Sequence, residues 1–209
     1  MICLLLLSVG VPGGCPGAYF LVDPDKSKTV KADYGKIGKR KVAVLVWADR
    51  STLDEYYHAR RQVCRAVTYH MKRHLPKARF VSPRDVAAFQ NGSGLDWQSM
   101  SNQEIGKELK CDLLLRIDLL EFTTRASDTV ELRKARIAAT VNMYDCSPEA
   151  GLDAVYEKEV RVTYPSGSLP AKIDISEDDL LHDAVELFAD ETARNFYDHD
   201  VKLKGRRKW

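Results

Sequence analysis

The chain has 209 residues, 44% of them hydrophobic and 30% charged, with a formal net charge of +2. That length and balance suit one globular domain with enough core to need no metal or disulfide staple. A charge so near neutrality excludes the global field that gathers a chain on nucleic acid. Five cysteines without a Cys-x-x-Cys pair exclude a zinc knuckle or a thioredoxin-type site.

Residues 2–11 are apolar or small and uncharged. The run is far shorter than the roughly 20 residues of a membrane span, and it fits the apolar core of a secretory signal. Gly13 and Gly14 supply the small side chains a signal peptidase needs, which leaves two cuts open. One lies before Cys15, where two small residues and a cysteine resemble the bacterial lipoprotein box. The other follows Ala18. Pro12 stands where that box usually carries Leu, Val or Ile, and no Lys or Arg precedes the apolar run, which points to a start codon further upstream. The expected division is a lipoprotein-type signal over 1–14 with acylation at Cys15, a Lys-rich tether over 15–40, one domain over 41–198, and a basic tail over 199–209.

KVAVLVWA (41–48) is a continuous β-branched run, the pattern of a strand covered on both faces. From Thr52 to about Leu75 the apolar period turns helical, with Leu53, Tyr56, Val63, Val67, Met71 and Leu75 on one stripe and Pro76 as its stop. ARFV (78–81) reads as a short strand. Ser82 and Pro83 then open a helix, and Ser101 with Glu104 forms a capping box for another. A long strand starts at Asp112, turns tightly at 125–128 and returns over 129–145. There Ala135, Ile137, Ala139, Val141 and Met143 alternate with Lys134, Arg136, Thr140 and Asn142. A third antiparallel strand sets Glu157, Glu159 and Arg161 against Tyr156, Val160 and Val162. Ser176 caps a closing helix with acidic first-turn residues and an inward stripe of Leu181, Ala184, Phe188 and Thr192. The predicted order is β-α-β-α-α-β-β-β-α, an α/β (α+β) two-layer sandwich with a mixed sheet.

The VAVLVW strand, the EIGKELKCDLLLRIDL segment and the closing hairpin and helix together resemble a family. The pattern is similar to the periplasmic domain of curli-secretion (CsgG-type) lipoproteins and to the amino-terminal domain of the Tol-system propeller protein. The shared step runs from Gly106 through one turn to Cys111-Asp112, and the similarity covers roughly residues 41–197. It implies an envelope-associated binding or assembly accessory. The short hairpin turn at 125–128 departs from the long membrane-inserting hairpins of curli channels, so a pore is not implied.

Catalytic patterns do not emerge: there is no G-x-S-x-G, P-loop, His-Glu-x-x-His or dinucleotide glycine fingerprint. His70 and His74 stand four apart without a third ligand and read as helix-surface residues. Cys64 reads as a small buried hydrophobe. Cys111 and Cys146, at the two ends of the predicted hairpin, are placed to approach one another. The expected function is therefore non-enzymatic. The expected molecule is a membrane-anchored envelope lipoprotein on the periplasmic side, at the outer rather than the inner membrane, working as an assembly, secretion or transport accessory. It needs no cofactor, metal or nucleic acid, and its partners are an envelope protein or a second copy of the chain. The expected contact surface comprises Trp47, Arg116, Lys134, Arg136 and Arg161 on the open sheet face. The alternative is a secreted domain binding a small ligand or envelope polymer near Trp47.

Overall fold

The computed structural model describes residues 27–94, 96–124, 134–166 and 176–202. Cys15, the apolar run before it and the turn at 125–128 lie outside the described residues. Residues 29–199 form one compact unit, and 27–28 and 200–202 belong to a second.

The elements are β1 (Ser27–Val30), β2 (Lys41–Trp47), α1 (Arg50–Glu55), α2 (Ala59–His74), β3 (Arg79–Phe80) and α3 (Pro83–Gly92), then a 3-10 turn (Asp96–Gln98) and α4 (Asn102–Leu109). They continue with β4 (Leu113–Thr123), β5 (Ala135–Asp145), β6 (Tyr156–Tyr164), α5 (Glu177–Arg194) and β7 (His199–Lys202). β1 and β7 make a two-stranded sheet, and the other five strands make a mixed sheet in the order β3-β2-β4-β5-β6. β2 runs parallel to β3 and β4, whereas β4, β5 and β6 are antiparallel. The fold is α+β, as the sequence predicts.

β2 is buried from Val42 to Val46, which explains its unbroken apolar run. α2 packs on β2, and α5 packs on β5, β6 and α2. The alternation places Val42, Val44, Ile117, Ile137, Val141 and Met143 toward that helix layer, where Val63, Val67, Met71, Ala184 and Phe188 are also buried. Each fully buried Leu, Ile or Phe contributes about 1.5–3 kcal/mol of transfer free energy.

The single helix expected over 52–75 is two helices. Tyr56, after α1, has φ −125° and ψ 68°. Leaving the helical path sets its ring edge-on to Phe122, centroids 5.3 Å apart, and its hydroxyl 3.1 Å from Thr124 Oγ1. These distant contacts outweigh the continuity of the periodic stripe.

Residues 31–40, expected as part of an exposed tether, pack on the domain. Tyr34 and Ile37 are buried. Arg40 Nη1 lies 2.9 Å from Asp145, and its Nη2 donates to Tyr34 Oη at 3.0 Å. One guanidinium therefore fastens this stretch to the end of β5.

The Gly106-to-Asp112 step is a piece of structural carpentry. The capping box at Ser101 starts α4, and Lys110 in the left-handed region (φ 50°) ends it. The Cys111 N–H donates to the Gly106 carbonyl at 2.9 Å, closing the last turn. Lys41 N–H donates to the Asp112 carboxylate at 2.7 Å, and Asp112 N–H donates back to the Lys41 carbonyl at 2.8 Å. This exchange sets β4 beside β2.

Candidate functional site

Residues directly opposite one another in a sheet share a face. The register aligns Trp47 with Asp118 and Thr140, and Thr140 with Glu159. The neighbouring row is Leu45, Arg116, Asn142 and Glu157. Between Leu119 and Glu121 the register slips by one residue, leaving Leu120 as the extra residue of a bulge and 59% exposed. Past the bulge, Glu121, Ala138 and Arg161 form one row, and Thr123, Arg136 and Thr163 form the next. The bulge keeps Phe122 buried and turns Glu121 onto the polar face.

This face is opposite the layer of α2 and α5. At one end α4 brings Asn102 beside Tyr144. Burial, chiefly, raises the Tyr144 phenol, and the nearby Arg116 opposes that rise. Elsewhere on the face Glu157, Glu159 and Arg161 are exposed, while Arg116, Thr140 and Arg136 are half-buried.

The charges pair both along a strand, as Arg116 with Asp118 and Arg161 with Glu159, and between strands, as Arg136 and Arg161 with Glu121. Arg116 Nε lies 2.9 Å from Asp118, and Arg136 Nε lies 2.8 Å from Glu121. Arg161 spans Glu159 at 2.6 Å and Glu121 at 3.5 Å. Three arginines thus meet Asp118, Glu121 and Glu159 in a ladder, so among the described residues the face offers mixed charge at fixed spacing.

Of the surface expected from sequence, Trp47, Arg116, Arg136 and Arg161 share this face, with Trp47 at the carboxyl end of β2. Lys134 immediately precedes β5 and is half-buried. Glu121, which joins Arg136 to Arg161, escapes a reading based on alternation because the bulge reverses its apparent side.

Of the two helix histidines, His70 serves the α2–α5 interface and His74 is exposed, packing on a ring beyond the end of α5. His70 Nε2 lies 2.9 Å from Glu186 and its Nδ1 3.6 Å from Asp190. His74 stacks on Tyr197, centroids 4.2 Å apart and 6° from parallel. Among the described residues no group of three His, Cys, Asp or Glu could hold a metal ion. The Cys64 thiol donates to the Val44 carbonyl at 3.1 Å, and burial pushes its pKa up to about 12, which leaves it a weak nucleophile. The first-turn acids of α5 have local duties: Glu177 accepts from the Thr124 hydroxyl, and Asp179 N–H donates to the Ser176 cap at 3.1 Å.

No family model matches the chain, and no curated protein matches it. Among solved structures it is similar to the PelC dodecamer from Paraburkholderia phytofirmans, at 11% identity over 82% of this chain and 98% of that one, with a TM-score of 0.46. It is also similar to the lipoprotein GNA1162 from Neisseria meningitidis, at 11% identity over 74% and 98%, TM-score 0.45. A minor lipoprotein from Acinetobacter baumannii matches at 12% identity over 77% and 92%, TM-score 0.33. The neighbours thus include bacterial lipoproteins, and likenesses this remote assign the chain no activity and no partner.

Proposed function

We propose that this protein is a non-enzymatic, lipid-anchored accessory of the bacterial cell envelope that binds a protein partner through the outer face of β4, β5 and β6. The observation that carries the anchoring is the uncharged run over 2–11 followed by Gly13-Gly14-Cys15. The resemblance of residues 41–197 to curli-secretion and Tol-propeller domains points the same way. Acyl chains on Cys15 hold the molecule at the bilayer. More than one chain is needed for a firm anchor, which is the function of lipoprotein-type multiple acylation.

The contact surface is the register-matched ladder of Arg116, Arg136 and Arg161 with Asp118, Glu121 and Glu159, bordered by Trp47. Paired charges at fixed spacing select a partner by complementarity and penalise mismatched ones. The exposed charges of β6 also guard that edge strand against indiscriminate strand addition.

The test is intact mass and membrane fractionation of the chain expressed in a Gram-negative host, beside Cys15→Ser. A diacyl- or triacyl-sized increment on a chain starting at Cys15, with membrane association lost in the variant, is the expected result. A protein cut after Ala18 in both versions, or retaining Met1 in the cytoplasm, overturns the anchoring.

A further inference from the structure

Cys111 and Cys146, which lie 35 residues apart in the chain, come together where β4 begins and β5 ends. Three local arrangements bring them there. The Cys111 N–H donates to the Gly106 carbonyl at 2.9 Å, and the Cys146 N–H donates to the Asp112 carbonyl at 3.0 Å. Gly106 is also so close that a Cβ built on it would fall against the Cβ and Sγ of Cys146. Both cysteines therefore pack on one glycine at the last turn of α4.

The pair is not sealed in the core. Cys111 and Cys146 line the same surface cavity of about 640 Å³, whose walls include Lys39, Arg40 and Arg79 alongside Asp112 and Asp145. Arg40 holds Asp145 at 2.9 Å, and Arg79 lies 3.9 Å from Asp112, so neither carboxylate stands unpaired beside the thiols. Both cysteines are free in this structure.

We propose that Cys111 and Cys146 are a redox site: they form a reversible intramolecular disulfide by exchange with a small disulfide of the glutathione class. Cys146 also donates its thiol to the Asn102 carbonyl, at 3.5 Å. What separates the pair from Cys64, whose thiol donates to the Val44 carbonyl, is that two cysteines line one cavity.

The thiols are not equivalent. A hydrogen bond from Cys146 lowers the Cys111 pKa, burial opposes that, and the Ala43 backbone and Lys41 lower it further. The same contact raises Cys146, which keeps its proton beside the Cys111 sulfur. Cys111, which has Lys41 nearby, acts as the attacking thiolate in this exchange. Its sulfur bonds to one sulfur of the oxidant, the oxidant's S–S bond breaks, and the first small thiol leaves with the proton Cys111 has shed. Cys146 then attacks the Cys111 sulfur in the mixed disulfide, releasing the second small thiol and giving it the Cys146 proton. Two protein thiols are oxidised, one small disulfide is reduced, and two small thiols are released.

The site uses residues of the folded domain alone and does not depend on where the chain is anchored. An oxidising compartment would hold the pair in its disulfide form.

The experiment equilibrates the full chain in a series of reduced-to-oxidised glutathione ratios, blocks free thiols with N-ethylmaleimide, and maps tryptic peptides. Tryptic cleavage places Cys111 in peptide 111–116 and Cys146 in peptide 137–158. The expected result is a cross-link between those two peptides that disappears as reduced glutathione rises, with Cys64 alkylated after denaturation throughout and the circular dichroism unchanged. Cys146→Ser should leave a glutathione adduct on Cys111 in place of the cross-link. Cys111 and Cys146 remaining fully alkylatable across the series while the dichroism stays native would overturn the proposal. So would a cross-link joining either of them chiefly to another cysteine. The wild-type map decides the matter even if a serine variant fails to fold.

Discussion

Gly106 of α4 meets Cys146 at so close a range that any Cβ on Gly106 would overlap the Cys146 side chain. The glycine is therefore required by an approach between elements, since its neighbours on α4 are ordinary helix residues. Gly106→Ala should destabilise the domain by about 1–3 kcal/mol, the usual cost of an overpacked contact. Helix propensity alone predicts the opposite sign, a gain of about 0.5–1 kcal/mol. Urea unfolding decides between them. In a Cys146→Gly background the penalty should largely vanish, and an undiminished penalty there would place the clash elsewhere.

Arg40 binds Asp145, Tyr34 and the Ile37 carbonyl with one guanidinium. Arg40→Ala should cost about 1–3 kcal/mol, because it also leaves the partly buried Asp145 and Tyr34 short of a partner. Hydrogen exchange should report the loss locally, with faster exchange at the Tyr34 N–H, which donates to the Asn195 carbonyl at 3.0 Å. Unchanged exchange at Tyr34 would mean that residues 31–40 are held by Ile37 burial instead.

His74 titrates below the ordinary imidazole value of 6.5, first because burial disfavours its charged form and then because Arg73 stands near. Asp190 opposes the shift, while His70 and Arg194 add to it. The unfolded chain therefore binds this proton more tightly than the folded one. The stability contribution is complete above pH 6.5 and declines as pH falls through that value toward the lower folded pKa. The drop in Tm between about pH 7.5 and pH 5.5, a window that brackets an unperturbed imidazole, should be larger for the native chain than for His74→Gln. Equal drops would remove His74 from the pH dependence.

Arg161 is exposed beside Glu159 and Glu121, and surface ion pairs of this kind contribute about 0–1 kcal/mol. Arg161→Ala should accordingly leave Tm within a few degrees of native. A large loss of stability would show that the ladder on β4–β6 is structural and would weaken its assignment as a contact surface.

The cysteine pair adds a stability readout of its own. A disulfide across a loop of this length typically stabilises a domain by about 2–4 kcal/mol, mainly by restricting the unfolded chain. The oxidised protein should unfold at higher urea than the reduced one, and Cys146→Ser should not respond to oxidant. Equal midpoints for the two native forms would indicate that strain in the bridge cancels its entropic gain.

Much of this architecture was decided locally and so could be read along the chain. The unbroken Val42–Val46 run, the serine caps at Ser82, Ser101 and Ser176, and the alternation across β5 and β6 each reflect forces acting within a few residues, where periodicity and hydrogen-bonding chemistry leave a direct imprint. The grouping of Trp47, Arg116, Arg136 and Arg161 on one face followed from the same alternation. What the tertiary structure alone decided is whatever depends on partners far away in sequence. Tyr56 broke a continuous helical stripe to reach Phe122 and Thr124, and Leu120 slipped out of register so that Phe122 stayed buried while Glu121 joined Arg136 and Arg161. Arg40 drew a polar, Lys-rich stretch onto the domain, and Gly106 let two cysteines share one small space. Such contacts are set by the three-dimensional meeting of side chains, and a linear pattern does not encode which distant residue a side chain will meet.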